Sequence, residues 1–373
     1  MKYERMIMEA ESPDLVGPGK ILYNLAESSV RDRTLGELGI DFGDLLLPYG
    51  NHFGNPALRS LIAAQSGSNI AAEHVLVTAG AAGALFIISS SLLEPGDHMV
   101  VGFPNYATNY ETPTAIGAVV EEHSQTFDKG FGIDVDRLEA QITDETRFVS
   151  LTCPHNPTGV VFSRRQLDRL IDIVERRGCW LVVDETYREM TYGEPLPVAA
   201  TLSERVISVC SMSKTYGVPG IRIGWLLTRD PALMHTFISA KEQIGITGSV
   251  LDETAASQIL QQRDTLLPRI REEIREGLGI LSDWVRGEAM LEWVEPDAGV
   301  TCCVRVPDAS DRQMQRFYMR LKDRYRTAVA PGYWFKVPDN YMRIGFGWTR
   351  PDDTRQGLAN VSQALRDCFV NQA

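Results

Sequence analysis

Seven short apolar runs punctuate the first two thirds of this chain, at residues 74–78, 98–102, 118–123, 147–151, 180–184, 206–210 and 221–228. Helical patterns at 80–93 and 163–177 fall between some of them. A near-continuous apolar strand is buried on both faces, and strands alternating with helices form a mostly parallel sheet covered on both sides. The pattern therefore predicts an α/β fold built on a seven-stranded, mostly parallel sheet. In such sheets ligands sit beyond the carboxyl ends of the strands. Gly80, Tyr106, Asn156, Asp184 and Lys214 each fall at or just after a predicted strand end.

A chain of 373 residues is long for one core. Its pattern divides into an N-terminal arm (1–44) that belongs with a small domain and serves as a lid, a large domain (45–265), and a smaller α+β domain (266–373). The arm is irregular and acidic, with Glu9, Glu11, Asp14 and Glu27. A helix is expected at about 56–65, a helical region over 231–262, and a long charged helix at 266–284. The last part reads as strands at 291–294, 300–306 and 341–346 with helices at 311–324 and 351–370.

The net charge is −12, from 37 Lys and Arg against 49 Asp and Glu, with no basic block. That argues against nucleic acid or an anionic membrane as the main partner. The first residues carry no apolar signal core, and no apolar run reaches spanning length, so a cytoplasmic protein is expected. Six cysteines show neither a CxxC pair nor zinc spacing, and read as reduced core residues with no metal site.

Lys214 stands out chemically. It lies in Ser211-Met212-Ser213-Lys214-Thr215-Tyr216-Gly217, between two strand patterns, with Arg222 eight residues on. A lysine that forms a Schiff base must be partly desolvated and fixed, and Arg222 offers a fork of donors to a phosphate. A surface lysine in a loop is the plainer alternative. The small residues Gly80, Ala81 and Ala82 open a helix, and let backbone N–H groups approach an anion. Asp184 ends an apolar strand, where it can hold a protonated ring nitrogen or merely cap a helix. Pro154-His155-Asn156-Pro157 is a turn that fixes Asn156.

Taken in order, these motifs resemble the fold type I enzymes that use pyridoxal 5′-phosphate (PLP), in the class I/II aminotransferase group. The resemblance rests on Tyr49, Gly54 and Leu58-Arg59; on Thr78-Ala79-Gly80-Ala81-Ala82; on Pro104-Asn105-Tyr106; on Asn156-Pro157-Thr158-Gly159; on Asp184-Glu185-Thr186-Tyr187; and on Ser211-Met212-Ser213-Lys214 with Arg222 and Arg343. It implies a Schiff base to PLP at Lys214, which also moves the Cα proton. It implies Asp184 on the pyridine nitrogen, Asn156 and Tyr187 on the ring oxygen, and Tyr106 stacked on the ring. Gly80, Ala81, Ala82, Ser211, Ser213 and Arg222 would surround the phosphate, with Tyr49 supplied by the neighbouring subunit of a homodimer. Arg343 would take the carboxylate of an amino acid substrate. Cationic Arg222 is expected to ease deprotonation of Lys214.

The stretch Leu25-Ala26-Glu27-Ser28-Ser29-Val30 replaces the short glycine-containing turn usual in these aminotransferases. With several other motifs it looks most like the capreomycidine synthase and enduracididine-forming branch. That resemblance implies dehydration and ring closure of a hydroxylated arginine. A transaminase using 2-oxoglutarate, and a PLP-dependent arginine oxidase, stay open as alternatives. A guanidinium side chain needs carboxylates. Glu9 and Glu11 are the favoured candidates, ahead of Glu27 and Asp252-Glu253, with Ser28 and His52 as further polar contacts.

Overall fold

A computed structural model describes residues 1–15, 17 and 19–370. Its central sheet has seven strands: β1 (Val75–Ala79), β2 (His98–Phe103), β3 (Val119–Ser124), β4 (Thr146–Thr152), β5 (Trp180–Asp184), β6 (Val206–Ser211) and β7 (Ile223–Leu227). Their order is β1-β7-β6-β5-β4-β2-β3. All neighbours are parallel except β7, which runs antiparallel to both β1 and β6. The register sets Thr152 opposite Asp184 and Asp184 opposite Val209, so the carboxyl ends of β4, β5 and β6 lie side by side.

Local sequence explains the helices around the sheet. Helix α1 (Pro56–Ser66) starts with proline at its first turn, and the Asn55 side chain accepts from the N–H groups of Ala57 and Leu58. Helix α2 (Gly80–Leu92) follows β1 directly, with Gly80 at φ 70°. Helix α3 (Arg164–Arg177) has a Ser163/Gln166 capping box and ends at Gly178 in the left-handed region. The helical region expected over 231–262 is two helices, α4 (Pro231–Gly245) and α5 (Val250–Gln261). The break falls at Ile246, whose φ is 52°, and Ser249 caps the second helix. Helix α6 (Arg263–Gly287) is the long charged one.

A smaller sheet follows, with β8 (Glu292–Trp293), β9 (Thr301–Arg305), β10 (Ala330–Pro331) and β11 (Tyr341–Gly345) in the order β10-β11-β9-β8. The arm contributes to a separate two-stranded sheet: Tyr23–Asn24 pairs in parallel with Thr327–Ala328. Beyond that pairing the arm runs in tight contact with three glycines. A side chain on Gly345 would collide with the Glu27 carbonyl, and one on Gly217 with the Arg31 carbonyl, while one on Gly347 would sit 3.1 Å from the Ser29 carbonyl. Gly345 N–H donates to Leu25 O at 2.7 Å and Val30 N–H to Lys214 O at 3.1 Å. Glycine lets this segment lie between the two sheets. Among the described residues no helix is long and apolar enough to cross a membrane.

Candidate active site

The strand ends, the arm and β11 enclose a cavity of about 550 Å³. Of the residues expected from sequence, it is lined by Glu9, Ser28, Ala81, Ala82, Tyr106, Asn156, Asp184, Tyr187, Ser211, Ser213, Lys214, Arg222 and Arg343. Gly80 stands behind them. A Cβ there would lie 2.7 Å from a terminal nitrogen of Arg222, so the bare glycine lets the guanidinium rest against the start of α2. Arg222 itself has φ 48° and donates to Pro219 O at 2.9 Å. Gly224 of β7 closes the same corner, because a Cβ on it would lie 2.7 Å from Ala81 N. A helix N-terminus and an arginine thus converge on one point, the arrangement a phosphate requires.

Asp184 is buried at the end of β5, and Oδ1 accepts from Thr186 N at 3.0 Å and Thr186 Oγ1 at 2.6 Å. Burial pushes its carboxyl up, and the Thr186 bonds pull back against that. A cationic ring nitrogen would favour the carboxylate. Asn156 Oδ1 accepts from Arg343 at 3.0 Å, and the Asn156-Pro157 bond is cis, as are Phe103-Pro104 and Cys153-Pro154. His155 holds the Asn156 turn from beneath: Nε2 bonds Pro104 O at 2.7 Å and Nδ1 bonds Thr158 Oγ1 at 2.7 Å. Only a protonated Nε2 can donate to that carbonyl, so Nδ1 accepts from the hydroxyl. Burial lowers this histidine to about 4, so it is neutral.

Arg343 also donates to Ala26 O at 2.5 Å and lies 5.0 Å from the centre of the Phe335 ring. Its Nε is buried with no partner in the protein, a donor waiting for an acceptor. Burial lowers its ionisation, with Tyr187 and Glu27 acting against that. Lys214 Nζ lies 3.5 Å from Glu27 Oε1. Burial works against its ammonium form, but Tyr187 and Glu27 outweigh burial, and the net shift is upward. The expectation that Arg222 would ease its deprotonation is therefore corrected: the cation that opposes charge on Lys214 is Arg343, and it is outweighed.

Five expected residues lie elsewhere. Glu11 Oε2 accepts from Tyr333 at 2.6 Å and Trp334 Nε1 at 2.9 Å, which turns the carboxylate out of the cavity. His52 Nδ1 pairs with Glu242 at 2.5 Å, outside it. Tyr49 is 85% exposed on the surface of this chain. Asp252 and Glu253 are also remote; Glu253 Oε2 accepts from Asn55 N at 2.5 Å. Sequence reading passed over Asp32, Trp334 and Trp348, which line the cavity, and ranked Glu27 second. Asp32 accepts from Trp348 Nε1 at 3.0 Å.

A half-buried lysine, a buried aspartate at the neighbouring strand end, and an arginine at a helix N-terminus define a PLP-dependent enzyme of fold type I. The family model "Aminotransferase class I and II" matches residues 40–359, and the chain belongs to that family. It is 30% identical to capreomycidine synthase of Streptomyces vinaceus, over 92% of this chain and 89% of that one. It is 30% identical to arginine–pyruvate transaminase AruH of Pseudomonas aeruginosa, over 87% and 82%. Among solved structures, the PLP-dependent cyclase OrfR superposes with a TM-score of 0.88 at 27% identity, covering 98% of each chain. PLP is the cofactor these relationships indicate, and the donor set of the cavity fits it.

Proposed function

We propose that the protein closes a ring on a hydroxylated L-arginine, by dehydration followed by attack of a guanidino nitrogen, to give a cyclic guanidine amino acid such as enduracididine or capreomycidine. The observation that carries this reading is the wall facing Lys214. Glu9, Asp14, Glu27 and Asp32 line it together with Trp334 and Trp348. A guanidinium pairs with carboxylates and stacks on aromatic faces, whereas a dicarboxylic substrate would meet repulsion there. The relationship to capreomycidine synthase and to a PLP-dependent cyclase supports the same reading.

Bound PLP supplies an electron sink conjugated to the substrate's Cα. Asp184 would hold the proton of the ring nitrogen, Asn156 and Tyr187 would donate to the ring oxygen, and Tyr106 would cover the ring. Arg222, Ser211, Ser213 and the N–H groups of Ala81 and Ala82 would hold the phosphate. Arg343 takes the substrate carboxylate, using the Nε that has no partner in the protein. Lys214 Nζ removes the Cα proton. The carbon–oxygen bond of the substrate hydroxyl breaks, water leaves, and a bond from a guanidino nitrogen takes its place, so no amino acceptor is consumed. The arm carrying Glu9 keeps bulk water out. The reading includes the division into arm (1–44), cofactor domain (45–265) and small domain (266–373). It also includes a homodimer in which exposed Leu46, Leu47 and Tyr49 meet a second copy, Tyr49 completing that copy's phosphate site.

Transamination is the second reading, favoured by the relationship to an arginine–pyruvate transaminase. Incubation with 4-hydroxyarginine, then 3-hydroxyarginine and arginine, without any oxo acid separates the two. Repeated turnover with loss of one water is the expected result. A single stoichiometric conversion, rescued by 2-oxoglutarate or pyruvate, would establish transamination instead.

A further inference from the structure

Of the carboxylates that line the cavity, Glu27 is the one that stands within 3.5 Å of Lys214 Nζ. The arm segment that carries it is pressed against Gly345, Gly347 and Gly217, and Val30 N–H is bonded to the Lys214 carbonyl. Its backbone is thereby fixed relative to Lys214. The side chain is fixed as well: Oε1 accepts from Ser28 N at 3.0 Å and stands 3.5 Å from Lys214 Nζ. Both side chains are less than one third exposed, at 30% and 29%, so solvent screens the pair only partly.

We propose that Glu27 is a positioning residue for charge on the Lys214 nitrogen, holding a proton there when the nitrogen is a Schiff base as well as when it is a free amine. The inference rests on Lys214 being the Schiff-base lysine. The groups that face Lys214 come from four elements: Tyr187 after β5, Tyr106 after β2, Arg343 on β11, and Glu27 on the arm. Arg222 acts on Tyr106 from the loop after Lys214. Burial drives Tyr106 further toward its neutral phenol. Arg343 opposes a positive charge on Lys214. Glu27 is the carboxylate of the set, and its own ionisation survives burial because Lys214, Ser28 N and Arg343 hold it below the usual range. An opposite charge at this distance favours the protonated nitrogen. The protonated Schiff base is the electrophilic form, so Glu27 keeps the enzyme ready for an incoming amine at higher pH than the ring alone would.

The test is a pH titration of the visible absorption of the PLP-loaded protein. In Glu27→Gln the midpoint of the change from the protonated, longer-wavelength band is expected to fall by about one pH unit or more, the size of shift an opposite charge produces at such a range. Glu27→Asp, which withdraws the carboxylate by one methylene, is expected between the two. A midpoint unchanged or raised in Glu27→Gln overturns the proposal. If that variant does not take up cofactor, the Glu27→Asp midpoint decides alone: a downward shift supports the proposal, and an unchanged midpoint overturns it. Failure of the underlying assignment looks different, because wild type and Lys214→Ala would then share the same visible band.

Discussion

The two walls of the cavity are built on different principles. The strand-end wall draws on neighbouring strands of one sheet: Asn156 after β4, Asp184 on β5, Lys214 after β6 and Arg222 before β7. Asn156 and Asp184 are buried and held by short bonds in adjacent turns, Lys214 is half-buried, and Arg222 lies at the open edge. The opposite wall is assembled from distant parts of the chain: Glu9 and Glu27 from the arm, Trp334 and Trp348 from either side of β11. On the proposed function, the strand-end wall holds the cofactor while the opposite wall selects the amino acid. A change in the first should therefore abolish chemistry, and a change in the second should redirect it.

Lys214→Ala gives the largest expected effect. It removes both the Schiff base and the group that moves the Cα proton, so turnover should fall by about 10⁴-fold or more. The visible absorption band should vanish while unfolding transitions hold. Arg343→Lys comes next, because it bridges the walls through Asn156 and the Ala26 carbonyl. A lysine cannot reproduce the fork, so KM for any amino acid substrate should rise about 10- to 100-fold with the cofactor spectrum unchanged. An equal loss of PLP affinity would show that Arg343 serves the strand-end wall alone.

Sequence revealed the strand-end wall because each of its residues sits next to an apolar run. A strand end fixes both position and direction, so Asp184 and Lys214 were placed together without knowledge of any tertiary contact. The arm offers no such rule. Glu9 and Glu11 are two residues apart, at one end of the short helix Ile7–Ala10, and look equivalent in sequence. What separates them is the pair Tyr333 and Trp334, more than 300 residues away, which takes the Glu11 carboxylate. Glu27 was undervalued for the same reason, since its place is set by close packing on Gly345. Trp334 and Trp348 carry no local signal at all. The break between α4 and α5 is legible, because Gly248-Ser249 followed by Asp252 is a helix-start pattern inside the single helical region expected there.

Glu9 and Glu11 now make a sharper pair of variants. Glu9→Ala should raise KM for a guanidino substrate about 10-fold, from one lost charged contact, and leave PLP uptake intact. Glu11→Gln should act through the arm instead. Weakening its bonds to Tyr333 and Trp334 frees the segment 6–12, so amide exchange there should quicken, and KM should rise alike for guanidino and other amino acids. A guanidino-selective loss in Glu11→Gln, with exchange unchanged, would return Glu11 to the cavity and erase the distinction.

The smallest effect lies under the strand-end wall and reads out as stability. His155 is folded as a neutral ring at about 4, against an ordinary histidine near 6.5 in the unfolded chain. Between those values the unfolded chain binds the extra proton, so stability must fall as pH drops from about 6.5 toward 4. From pH 6.5 to pH 5 the histidine's share is about 2 kcal/mol. Glu185, buried and raised to about 7, works in the opposite direction over much of this window, because its folded form keeps a proton that the unfolded form loses. Wild type alone cannot separate the two. The difference between wild type and His155→Gln can, since Glu185 is common to both. Urea midpoints should show the variant's deficit shrinking as pH falls from 7 to 5. A constant deficit would mean that His155 titrates normally, and that the Asn156 turn is held by its prolines and Thr158 without help from a neutral ring.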